Sequence, residues 1–171
     1  MGCGKTSIGR HLARYLGIDF VDTDRFIEMQ QKMTVAEIFE KHGESAFRDM
    51  EHEILSKLQL SKHPAIIATG GGMPCYGENM NIMSACGKVA YLKTTPQTLL
   101  KRLSTSQSER PLLKDKSEKQ LIQFITNTLT DRESCYNRAD FVVHTDNKLV
   151  ADISIEIYAA LPSPTPPENL I

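Results

Sequence analysis

The sequence predicts a single α/β domain, a parallel sheet with helices on both faces. Three observations carry the prediction. Short apolar runs of strand length alternate with amphipathic helical patterns, which is the signature of a covered parallel sheet. A glycine-rich segment, Gly2-Cys3-Gly4-Lys5-Thr6, runs straight into the first helical pattern. The 171 residues suffice for one domain with its own core and not for two.

Between Lys5 and Leu16 the apolar positions Ile8, Leu12, Tyr15 and Leu16 repeat at helical spacing, and Gly17 offers a left-handed stop. Ile18 to Val21 is a short strand closing on Asp22-Thr23-Asp24, and two-residue alternation puts both aspartates on one side of it. Thr34-Val35-Ala36-Glu37 forms a capping box that starts a helix closed by Gly43. A longer helix follows, with Phe47, Met50, Ile54, Leu55 and Leu58 on one face. Ala65 to Ala68 is a buried strand ending at Gly70-Gly71-Gly72, and Val89 to Leu92 is the next strand. Thr95-Pro96 opens a helix as N-cap and first residue. Ser104 to Lys116 is polar and aperiodic, so it is read as a mobile loop. Ser117 to Gln120 is a second capping box, leading into a helix through Leu121, Phe124, Ile125 and Leu129. Phe141 to His144 is the last strand, and Lys148 to Leu161 the last helix, with Val150, Ile153, Ile157 and Leu161 inward. The domain therefore spans residues 1–161, and the proline-rich residues 162–171 form a tail expected to be disordered.

Twenty Lys and Arg against 21 Asp and Glu leave a net charge of −1, which argues against a general nucleic-acid binder. No apolar run approaches the roughly 20 residues of a membrane span, and the start lacks the apolar stretch of a secretory signal. Cys3, Cys75, Cys86 and Cys135 are far apart, without metal-ligand spacing, and read as free thiols of a cytoplasmic protein. Met1-Gly2-x-x-x-Thr6 also matches a myristoylation pattern, but an acyl anchor requires none of the strand and helix order downstream.

Gly2 to Thr6 matches the second half of a phosphate loop, G-x-x-x-x-G-K-[ST], with Gly4 as its second glycine. Such a loop aims backbone N–H groups at one point, where the helix dipole favours negative charge. Lys5 is expected on the terminal phosphates and the Thr6 hydroxyl on Mg²⁺. Asp22 and Asp24 suit a metal-associated acid beside an acid that touches a substrate hydroxyl; the plainer reading is a helix cap. Three successive glycines, Gly70 to Gly72, imply a neighbour too close for a Cβ. The arginines with motif context are Arg48 in Gly43-Glu44-x-x-Phe47-Arg48, Arg110 in Arg110-Pro111-Leu112-Leu113, and Arg132 four residues before Tyr136.

Phosphate loop, D-T-D, G-E-x-x-F-R, G-G-G, R-P-L-L and R-x-x-x-Y-x-x-A-D occur in one order, and in that order the chain resembles the shikimate kinases. The resemblance implies a three-layer phosphate-loop kinase fold with a five-stranded parallel sheet and a mobile lid at about residues 104–116. It implies ATP and Mg²⁺ as cofactors, shikimate as substrate, and a monomer. Gly2, Cys3, Gly4, Lys5, Thr6 and Ser7 would cradle the nucleotide, with Asp22 joining Thr6 at the metal. Asp24 would hold the ring hydroxyls and accept the proton of the attacking one. Arg48 and Arg132 would grip the substrate carboxylate beside Gly71 and Gly72. Arg110 would close on the phosphates, with Arg102 and Lys148 nearest the adenine. The alternatives are a gluconate- or nucleoside-monophosphate-type kinase, or a nucleotide-binding module without catalysis. Only four strands are counted after Met1. The family's first strand and first loop glycine are thus expected ahead of Met1, and the chain as written is expected to bind ATP weakly and to be poorly stable.

Overall fold

The computed structural model describes residues 2–60, 63–105 and 117–162. Helix α1 (Lys5–Leu16) begins after Gly4, at φ 96°, and ends on left-handed Gly17. The Ile18 N–H still bonds back to the Ala13 carbonyl at 3.1 Å, so strand β1 starts one residue late, at Asp19–Asp22. Asp22 then caps α2 (Thr23–Gln31), its Oδ1 accepting the Arg25 N–H at 3.3 Å. This corrects the expectation for Asp24. The cap turns the chain into a helix after Asp22, so Asp24 sits in the first turn of α2 and not on the strand.

Both capping boxes form. Thr34 opens α3 (Val35–Gln59), which breaks at Gly43 (φ 79°, ψ 172°) and resumes, giving the two expected helical pieces. Phe47, Ile54 and Leu55 are buried along its inner face. After β2 (Ala65–Ala68) come a 3₁₀ turn at Met73–Cys75 and α4 (Asn79–Cys86), neither of which the apolar pattern announced. Strand β3 (Ala90–Lys93) leads into α5 (Pro96–Thr105). Ser104 stays helical by donating its hydroxyl to the Leu100 carbonyl at 2.9 Å, so the expected loop begins later than its polarity implied. The rest of that loop, with Arg110, and the tail beyond Pro162 lie outside the described residues. Ser117 caps α6 (Glu118–Tyr136), followed by β4 (Phe141–His144) and α7 (Val150–Ala160). Of the expected inward residues of α7, Ile153 and Ile157 are buried while Val150 is exposed.

The four strands form two parallel pairs. β1 runs beside β2 with Asp19 opposite Ala65, and β3 beside β4 with Ala90 opposite Phe141. Among the described residues no ladder joins β2 to β3, so the one sheet expected is present as two halves. Ile67 of β2, expected to be buried, is exposed. The core holds three buried clusters, the first of which reaches both strand pairs through Ile66 of β2 and Leu92 of β3. Ile8, Leu12, Val143, Ile153 and Ile157 pack between α1, β4 and α7, Ile27, Ile38, Phe47 and Ile54 between α2 and α3, and Leu99, Leu103, Leu121 and Ile125 between α5 and α6. No helix among the described residues is long and apolar enough to cross a membrane.

Candidate active site

At the loop end of the site, Gly2 (φ 73°) and Gly4 (φ 96°) take backbone conformations that side chains disfavour, and they bring the loop onto the start of α1. The first turn of α1 carries no acid, so its positive end is left for an anion. Thr6 donates its hydroxyl to Asp22 Oδ2 at 2.8 Å, while exposed Ser7 follows it on the helix. Lys5 Nζ lies 3.7 Å from Cys3 Sγ. Burial pulls the Lys5 ammonium downward, but the acidic groups of Cys3, Tyr136 and Asp24 outweigh it and hold its pKa above the ordinary lysine value. Arg102 donates to the Cys3 carbonyl at 3.2 Å and to the Thr145 carbonyl at 3.1 Å, fastening the loop to the end of β4. Lys148 is on the surface, 2.5 Å from Glu156 of α7, and no observed contact brings it to the loop.

At the glycine turn, fully buried Thr23 ties the ends of β1 and β2 together. Its hydroxyl donates to the Ala68 carbonyl at 3.4 Å and accepts the Gly70 N–H at 3.2 Å. This draws the glycine turn against two acids. A Cβ on Gly70 would stand 2.4 Å from Glu51 Oε1 and 2.8 Å from Asp24 Oδ1, both inside contact distance. A Cβ on Gly72 would stand 2.3 Å from Arg48 Nη2. Gly71 presents its carbonyl to the Tyr136 hydroxyl, which donates at 2.7 Å. Arg132 lies beside that same phenol and within electrostatic reach of Glu51. The turn therefore joins α2, α3 and α6 at one place.

The acids in this pocket are electrostatically unsettled. Arg48 holds Glu51 Oε2 at 2.6 Å and Glu44 at 2.8 Å, and the Glu51 side chain has no solvent exposure. Glu51 Oε1 and Asp24 Oδ1 are buried without a hydrogen-bond partner. Burial pushes the Asp24 carboxyl above its ordinary value and the Asp22 charge adds to this, against Lys5 and Arg48. Burial likewise raises Glu51, opposed by Arg48. Two acceptors lacking donors, beside a guanidinium, match a small ligand with several hydroxyls and one anionic group.

Asp22, Asp24, Arg48, Gly71, Gly72 and Arg132 thus gather around one turn, with Lys5 and Thr6 on the side of the glycine-rich loop. Glu51 and Gly70 belong with them and were not anticipated. Position 51 falls on the Phe47, Ile54, Leu55 stripe where an apolar residue is due, so a charged residue there was itself the signal. Tyr136 stood in the motif without an assigned part.

A family model for shikimate kinase matches residues 1–162. A shikimate kinase of Azobacteroides pseudotrichonymphae is 41% identical over 153 residues, 90% of this chain and 90% of the relative. One of Flavobacterium johnsoniae is 40% identical over 151 residues, 88% of each chain. The crystal structure of shikimate kinase from Bacteroides thetaiotaomicron superposes with a TM-score of 0.86 at 31% identity, covering 93% of this chain and 92% of that one. The Acinetobacter baumannii enzyme, solved in complex with shikimate, gives 0.81 at 35% identity, covering 92% and 86%. A gluconokinase of Sinorhizobium meliloti, at 17% identity and a TM-score of 0.57, shares the fold alone. With the loop, the glycine turn and the arginine–acid cluster in the arrangement described, the chain belongs to the shikimate kinase family.

Proposed function

We propose that the chain transfers the γ-phosphoryl group of ATP to the 3-hydroxyl of shikimate. The observation that carries this reading is the convergence at Gly70–Gly72 of the Arg48 guanidinium with the unpartnered Asp24 Oδ1 and Glu51 Oε1. Arg48 and Arg132 hold the substrate carboxylate, since a planar guanidinium matches it in two-point contact. The two free acceptors take hydroxyl protons of the ring, and the raised Asp24 is the base for the attacking one. As the hydroxyl oxygen bonds to the γ-phosphorus, its proton passes to Asp24 and the bond to the β–γ bridging oxygen breaks, releasing ADP. Lys5 and the N–H groups opening α1 hold the transferred phosphates, which is most of what phosphoryl transfer asks of a protein. Arg110, which lies outside the described residues, is proposed as a further contact to the phosphates.

Thr6 Oγ1 and Asp22 Oδ2 are the hard oxygen donors that suit Mg²⁺ alongside phosphate oxygens and water. That ion, bound with the nucleotide, neutralises charge on the phosphates. All these groups come from one chain, which supports a monomer as the acting unit, and the free cysteines support a cytoplasmic setting.

A coupled ADP-release assay across shikimate, gluconate and nucleoside monophosphates tests the reading, with shikimate binding measured separately by calorimetry. Turnover and binding confined to shikimate are expected. Turnover with another acceptor, or no binding of shikimate by folded protein, overturns it.

A further inference from the structure

Two of the four cysteines meet each other. Cys75 closes the 3₁₀ turn Met73–Cys75, and Cys135 is the last residue but one of α6. The turn packs against α6, and the two thiols stand within hydrogen-bonding reach across that contact. They are far apart in sequence, so the fold itself brings them together. Cys3 faces Lys5 instead, and Cys86 is exposed at the end of α4. Cys75 is exposed and Cys135 half-buried, which leaves the pair open to a small reagent.

Both thiols are tied to the glycine turn and its arginines. The Cys75 N–H bonds to the Gly72 carbonyl at 3.0 Å, and Gly72 lies against Arg48. Cys135 follows Arg132 by one helical turn, which sets the two on one face of α6. Its neighbour Tyr136 donates to the Gly71 carbonyl at 2.7 Å. Burial and the Cys135 sulfur push the Cys75 thiol up to about 12, against the charges of Arg132 and Arg48 nearby. Cys75 therefore keeps its proton at neutral pH, and Cys135 is left to react first.

We propose that Cys75 and Cys135 are an oxidisable dithiol, which a low-molecular-weight disulfide closes into an intrachain disulfide beside Arg132 and Arg48. The Cys135 thiolate attacks one sulfur of the reagent, forms a mixed disulfide and expels the first reagent thiolate. Capping Cys135 removes its charge, so part of the hold on the Cys75 proton goes and the two arginines favour its thiolate. Cys75 gives up its proton, attacks the Cys135 sulfur and expels the second reagent thiolate. Two protein thiols are oxidised by two electrons, and the reagent is reduced to two thiols. The new bond, about 2.0 Å long, draws the sulfurs closer than two thiols can pack. Closure thus pulls the turn toward α6 and shifts Gly72 against Arg48, weakening the grip on the substrate carboxylate; this consequence rests on the function proposed above.

The full chain, equilibrated with oxidised and reduced glutathione at several ratios, is quenched by alkylation and mapped by mass spectrometry. A monomer with the Cys75 and Cys135 peptides joined is expected, reopening with dithiothreitol. Cys86→Ser is expected to leave the joining intact, and Cys75→Ser or Cys135→Ser to abolish it. In the urea-unfolded chain the joining is expected to spread over all four cysteines, which shows without any variant that the fold selects the pair. No joined peptide in the folded chain at any ratio, or Cys3 or Cys86 joined as readily, overturns the dithiol. Shikimate binding is then measured by calorimetry on the reduced, joined and re-reduced protein. Binding at least about fivefold weaker in the joined form, restored by reduction, is expected. Equal binding overturns the link to the pocket. No binding by the reduced protein overturns the shikimate reading and that link together, while the mapped dithiol stands.

Discussion

Asp24 is held in the folded chain with its carboxyl above the ordinary value of 3.8, through burial and the Asp22 charge. A folded state that keeps a proton which the unfolded chain releases loses stability as pH climbs through the interval between the two pKa values. Asp24→Asn is therefore expected to melt with the parent below pH 3.8 and above it at neutral pH, which melting curves at several pH values will show. The same substitution removes the proposed base, and kcat is expected to fall by about 10²–10⁴-fold. In the parent, the acid limb of the kcat/KM profile is expected above the ordinary aspartate range. Arg48→Lys keeps the charge but not the fork that spans Glu51 and the substrate carboxylate, so the KM for shikimate is expected to rise about tenfold or more while that for ATP holds, as initial-rate kinetics will report. Residues of this kind were legible where their chemistry has a motif, as with Lys5, Thr6, Asp24 and Arg48. Glu51 and Gly70 were not, because their importance lies in a 2.4 Å approach across distant segments that spacing along the chain does not encode.

The elements owe their ends to local chemistry. Ser117 accepts the Gln120 N–H at 3.3 Å and Gln120 returns to the Ser117 N–H at 2.8 Å, starting the helix that carries Arg132 and Tyr136. Ser117→Ala is expected to cost about 1 kcal/mol of stability, which calorimetry will register as a modest drop in melting temperature. The glycine turn is bounded by contact: Gly72→Ala has no room beside Arg48, so the guanidinium must shift and shikimate affinity must drop, with ATP affinity as the internal control. Capping boxes, proline at a first turn and Gly17 made α1, α3, α5 and α6 readable to within a residue or two, whereas α2 was not among the helices read from the sequence. Helix α4 escaped because its anchor is polar. Asn79 is buried through a bond to the Met73 carbonyl at 2.9 Å and a contact with His52 at 2.7 Å, and apolar periodicity cannot register it.

At the scale of the molecule, the four strands and their parallel direction were legible, while the register of each pair was not, since register depends on contacts between residues far apart in sequence. Hydrophobic packing bridges the two strand pairs, since Ile66 of β2 and Leu92 of β3 both pack on the cluster of Ile8, Leu12, Val143, Ile153 and Ile157, and far-UV dichroism and tyrosine fluorescence are expected to report coincident unfolding transitions in urea. The site spans the molecule through Asp22. One carboxylate receives the Thr6 hydroxyl at the head of α1 and, with its other oxygen, the Arg25 N–H at the head of α2, where Asp24 stands two residues after Asp22. Any charge drawn to the Thr6 side is felt by the turn proposed to hold the acceptor, so the two ligands of a bisubstrate enzyme would share a lever. Their affinities are expected to be thermodynamically reciprocal, each sharpening the other by the same factor, and Asp22→Asn to leave both sites binding as strangers.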